Sequence, residues 1–114
     1  MKKDKAYLQD ILDTLSDIEE FVKDITEDMF YKNKEKQYAV LRALEIIGEA
    51  TKNLSKELRA KYHEIPWKDI VGMRDKLIHL YFGVKLELVW GTIKNKLPQL
   101  KQRISEIIEE IDEL

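Results

Sequence analysis

Apolar residues return at every third or fourth position along most of this chain. Leu8, Ile11, Leu12, Leu15, Ile18, Phe21, Val22, Ile25 and Met29 fall on one face at about 100° per residue. Asp10, Asp13, Asp17, Glu20, Asp24 and Glu27 fall opposite, so the pattern predicts a first helix over residues 4–28. Tyr31-Lys32-Asn33-Lys34 interrupts it and reads as a loop. A second helix is predicted over 35–62, with Tyr38, Leu41, Leu44, Ile47 or Gly48, Leu54 and Leu58 inward. Gly48 costs such a helix about 1 kcal/mol relative to alanine, which predicts a close approach by another helix there. Pro66 fits the first turn of a third helix running through Trp67, Ile70, Val71, Leu77, Ile78 and Tyr81, with Gly83 as its stop. Leu86, Val89, Trp90 and Ile93 mark a fourth over 85–96. Pro98 must kink or restart it, and Leu100, Ile104, Ile107, Ile108 and Ile111 carry the apolar face to the end. The expectation is an all-α fold, an antiparallel up-and-down bundle of four to five helices in a single domain over 1–114.

Composition narrows the chemistry. The 114 residues suit one domain with a modest core, which oligomerisation would supplement. The absence of cysteine removes disulfides, thiolate metal sites and cysteine nucleophiles together. No Glu-x-x-His motif occurs, so the carboxylates of the first helix read as a solvated or docking face and not as a metal centre. Neither a signal peptide nor a membrane span is predicted, which makes the cytoplasm the expected location. No metal and no cofactor are expected.

Charge is unevenly spread. Residues 1–31 carry four Lys/Arg against nine Asp/Glu, and residues 104–114 carry five carboxylates alone. Residues 32–67 balance at +3, and residues 68–103 at +5. Basic residues thus gather in the middle of the chain, which suits an anionic partner such as RNA as well as a merely solvated surface. Lys52, Lys56, Arg59 and Lys61 complement the end of the predicted second helix and can also hold phosphate. His63 reads as a capping or loop residue and Trp67 as core. Arg42, Glu45 and Glu49, three and four apart, read most simply as a row of ion pairs.

The candidate chemistry lies in Met73-Arg74-Asp75-Lys76-Leu77-Ile78-His79-Leu80-Tyr81-Phe82-Gly83. Asp75 and His79 are four apart and share a helix face, and Arg74 and Tyr81 share another. Arg74 and His79 are offset by roughly 140° on an ideal helix. They reach one substrate only if the helix ends near His79, or if a second copy of the chain contributes. Metal-free cleavage of RNA needs a base for the ribose 2′-proton, a cation for the phosphorane and an acid for the leaving oxygen. His79 suits the acid or base role near neutral pH, and Arg74 the stabilisation of charge. Asp75 can fix the imidazole tautomer, and Tyr81 can donate its hydroxyl.

This Arg-x4-His-x-Tyr arrangement resembles the signature of the HEPN superfamily, and more closely its HepT-like branch. Arg42 to Ala50, Ile65 to Met73, and Val89-Trp90 ahead of Leu97-Pro98 extend the resemblance to nearly the whole chain. The resemblance implies a metal-independent endoribonuclease acting on tRNA or mRNA, with the two Arg-x4-His motifs of a homodimer at one cleft. It implies Arg74 and His79 as catalytic residues, with Arg42, Glu45 and Glu49 looking toward them as a second layer. It also implies a toxin–antitoxin pair, in which a minimal nucleotidyltransferase adds AMP to Tyr81 and silences the toxin. A non-catalytic module that binds a nucleotidyltransferase or its nucleotide is the alternative.

Overall fold

A computed structural model describes residues 2–80 and 85–112, with the backbone alone at positions 2, 74 and 77–80. Among these residues the fold is all helix: α1 (Lys2–Val22), α2 (Glu27–Lys32), α3 (Lys34–Lys52), α4 (Lys56–Lys61), α5 (Trp67–Leu80), α6 (Leu86–Asn95) and α7 (Leu97–Asp112). The five helices of ten residues or more are the bundle expected from periodicity, and α2 and α4 are six-residue pieces between them.

The apolar stripes form one core. Leu8, Ile11, Leu15 and Ile18 of α1 meet Val40, Leu44 and Ile47 of α3 and Ile104 and Ile107 of α7, all essentially without solvent contact. Side-chain links at the helix ends fix the directions. Lys5 near the start of α1 pairs with Asp112 at the end of α7 at 2.7 Å, and Lys101 near the start of α7 pairs with Glu19 late in α1 at 3.0 Å. The two helices are therefore antiparallel. Asp4, in the first turn of α1, meets Ser55 just past the end of α3, so those two are antiparallel as well.

Two long predicted helices are each divided. The first ends at Val22 because Asp24 adopts a left-handed conformation, with φ 64°, which Asp tolerates better than most residues. Thr26 then caps a new helix, its Oγ1 accepting from the Met29 N–H at 3.2 Å. The restart changes the register. Phe30 becomes fully buried and Met29, inward on the unbroken pattern, is half exposed. The expected loop at Tyr31–Lys34 shrinks to Asn33, which ends α2 and caps α3 through its own carboxamide oxygen. Tyr38 is exposed rather than inward.

The second predicted helix breaks at Asn53–Ser55. Asn53 donates its carboxamide to the Glu49 carbonyl at 3.0 Å, and Ser55 caps α4, so two short polar side chains take over the helix's backbone partners. Gly48, where a close approach was expected, is buried. Pro98 falls in the first turn of α7, restarting the chain after Lys96 as expected. No described helix is long and apolar enough to cross a membrane.

Candidate functional site

The candidate chemistry sits on α5, which packs alongside α3. Its start is tightly held. The Trp67 indole N–H donates to the Tyr62 carbonyl at 3.0 Å, and the ring is buried beside Ile65 and Ile70. Trp67 is thus a core residue and offers little ring surface for base stacking.

From α7, Arg103 secures the turn before α5. Its Nε and Nη2 both reach Glu64 Oε1, at 2.9 and 2.8 Å, and its guanidinium lies 5.3 Å from the Tyr62 ring centre. Glu106 and Glu110 approach the same guanidinium at 3.5 and 3.4 Å. The Glu64 carboxyl is held below its ordinary range, first by a backbone bond at Glu64 and then by Arg103. Glu110 is also drawn down, first by the Tyr62 hydroxyl and then by Arg103. The Tyr62 hydroxyl is enclosed without a partner in full hydrogen-bonding geometry. Burial first, and the neighbouring Glu110 second, push its pKa up.

Positions 74 and 79 lie in one unbroken helix, which continues one residue past His79. The offset of roughly 140° between them therefore holds along this backbone. By register, position 74 falls between those of the buried Trp67 and Ile70. Position 79 falls with the exposed Lys68 and Asp75. The side chains of Arg74 and His79, and all of Tyr81, lie outside the described residues.

On α3, Tyr38, Arg42, Glu45 and Glu49 fall within about 60° of one another. Arg42 and Glu45 form an ion pair at 3.3 Å, as the spacing predicted. Glu45 and Glu49 are half-buried and engaged, and Tyr38 is engaged too despite its exposure. Among the described residues, no group of three or more His, Cys, Asp or Glu is placed to hold a metal ion.

A feature that single-residue reasoning only touched lies at the other end of α5. An open groove of about 680 Å³ runs between α4 and α5, lined by Lys56, Arg59, His63, Trp67 and Lys68 among others. The run of basic residues in 52–61 pointed to it, but Lys52 and Lys61 do not line it. Lys61 lies over the Tyr62 ring instead. Lys68 joins because the turn at 62–66 brings the start of α5 to the same groove.

Comparison with known proteins identifies the family. The family model described as ribonuclease HepT-like matches residues 11–107. A Methanocaldococcus jannaschii protein described as a gamma-glutamylcyclotransferase and candidate RNase is 53% identical over 98% of the chain. The chain spans about half of that relative's length, 51%. A second M. jannaschii protein, a candidate RNase, is 49% identical over 96% of this chain and 94% of its own. The probable ribonuclease HepT of Thermococcus cleftensis is 46% identical over 90% of this chain and 94% of its own. No solved structure matches. With the family model covering most of the chain and these relatives aligned almost end to end, the chain belongs to the HepT-like ribonuclease family.

Proposed function

We propose that this protein is a metal-independent endoribonuclease that acts as a homodimer. In this reading it is the toxin of a toxin–antitoxin pair, silenced when a partner nucleotidyltransferase adds AMP to Tyr81. Family membership and the RNase names of its relatives support the activity. The observation that carries the composite site is the continuity of α5 through positions 74 and 79. One copy presents these positions on different sides of a single helix. A phosphate can meet both roles when Arg74 comes from one copy and His79 from the other. A symmetric dimer supplies that arrangement twice.

At such a site a histidine takes the ribose 2′-proton, and the freed oxygen attacks phosphorus. Arg74 offsets the charge that accumulates on the phosphoryl oxygens. A histidine returns a proton to the departing 5′-oxygen, leaving a 2′,3′-cyclic phosphate. Asp75, exposed and one turn before His79, serves to orient the imidazole. Arg42, Glu45 and Glu49 form the outer layer on α3. An AMP group on Tyr81 would fill the cleft and repel RNA by charge.

The test uses protein shown by intact mass to carry no AMP, incubated in EDTA with total tRNA and mRNA. Cleavage is expected from the wild type and from neither Arg74→Ala nor His79→Ala. Mixing the two variants then separates the geometries. If the residues act across the interface, hybrid dimers regain one intact site and the mixture recovers about a quarter of wild-type activity. If both act within one chain, the mixture stays silent. Failure of the unmodified dimer to cut would leave a non-catalytic module that binds a nucleotidyltransferase or its nucleotide. For the regulatory step, Tyr81→Phe is expected to block the AMP adduct when the partner is co-expressed.

A further inference from the structure

The groove between α4 and α5 takes no part in the chemistry above, yet its lining is selective. Lys56 and Arg59 face it from α4, Lys68 from α5, and His63 from the turn between them. No Asp or Glu lines it. None of its three cations pairs with a described residue. The start of the 14-residue α5 adds the positive end of its dipole, and Asp69 of that first turn does not line the groove. The wall is stiff, because Trp67 is buried and bonded to the Tyr62 carbonyl.

We propose that this groove holds the phosphate backbone of the substrate RNA at a distance from the cleaved bond, an extension that rests on the ribonuclease reading above. Lys68, Asp75 and position 79 form one stripe along α5. The eleven steps from Lys68 to position 79 span roughly 16 Å of helix axis, a reach covered by a handful of phosphates on one strand. Because the Trp67 ring is buried, the groove presents little aromatic surface to a nucleobase. Its recognition falls on charge and is independent of sequence. The same feature disfavours a free nucleotide as the occupant.

The test is fluorescence anisotropy with a labelled 2′-O-methyl RNA, which binds without being cut. The groove variant carries Lys56→Gln, Arg59→Gln and Lys68→Gln. A control carries Lys23→Gln, Lys32→Gln and Lys96→Gln on other surfaces. Each lowers the net charge from −2 by three, to −5. The groove variant is expected to bind at least about tenfold more weakly, and its slope of log K against log salt to fall by about 2. The control is expected to stay within about twofold of wild type at the same salt. Single groove variants, each losing about two- to threefold, cover the case of a triple variant that does not fold. Equal losses in both triple variants, or none, would overturn the proposal. So would displacement of the RNA by equimolar ATP, which would assign the groove to a nucleotide. Anisotropy does not require cleavage, so a protein that binds through the groove but cuts nothing would refute the nuclease reading alone.

Discussion

Both carboxylate oxygens of Asp4 accept from Ser55, one from its amide N–H and one from its hydroxyl, each at 2.7 Å and across 51 residues of sequence. The Ser55 oxygen in turn accepts from the Leu58 N–H, so one buried carboxylate anchors the first turn of α1 and the cap of α4 together. Asp4→Ala leaves that cap without its anchor and is expected to cost about 2–3 kcal/mol, as the loss of a hydrogen-bonded charge does. Urea unfolding measures the loss. Hydrogen exchange at the Leu58 amide is expected to rise beyond what the global change explains.

A backbone bond at Glu64 and the Tyr62 hydroxyl at Glu110, each with Arg103 as the second lowering influence, make stability depend on pH. Glu64 and Glu110 have folded pKa values below the ordinary 4.5, so the fold favours their ionised forms. The stability they add is complete above that value and is lost as pH falls through the lowered ones. Tyr62 has the opposite sign. Its raised pKa leaves stability intact below pH 10 and removes it as pH climbs further. Arg103→Gln is expected to lower stability by less than Asp4→Ala does, and to make the acid limb shallower while the Glu64 backbone bond and the Tyr62 hydroxyl keep part of it. Urea midpoints measured from neutral to acid pH would show a parallel, unflattened limb if Arg103 were not responsible.

Phe30 is the sole buried residue of α2, and its ring centre lies 5.3 Å from that of Trp90 on α6. Phe30→Ala is expected to cost about 3–5 kcal/mol and to release α2 from the bundle. Trp90 emission should shift to the red, with Trp67 as the constant signal. An unchanged spectrum would mean that α2 holds its place without this ring.

Gly91 lies inside α6 with ordinary helical φ, and a Cβ added there meets nothing within 4 Å. Gly91→Ala is expected to stabilise the protein by about 0.5–1 kcal/mol, chiefly by narrowing the unfolded ensemble. The melting temperature should rise by about 2–6 °C. A fall instead would reveal a partner surface pressed against α6.

Periodicity revealed the five main helices because their stripes at three- and four-residue steps directly encode which face is buried. It did not reveal where the helices break. Asp24, Asn53 and Ser55 look like ordinary polar positions on helical faces. What divides the chain is a left-handed backbone at Asp24 and, at Ser55, a partner lying 51 residues away. Once α2 restarts, Met29 and Phe30 exchange places, which no pattern running through both could show. The Arg42–Glu45 pair was legible because both residues lie on one helix. The basic groove was legible only in half. Lys56 and Arg59 are neighbours in sequence, but Lys68 reaches them through tertiary folding alone.

The pairing of α1 with α7 carries a topological consequence. Lys5 and Asp112 touch, so both ends of the helical bundle's sequence emerge on the same side. A short Gly/Ser bridge joining them, with the chain reopened at Lys23–Ile25, would give a circular permutant with the same core contacts in a different order. It would move α1 from ahead of the other helices to behind them, while leaving α5 and its groove in the uninterrupted middle.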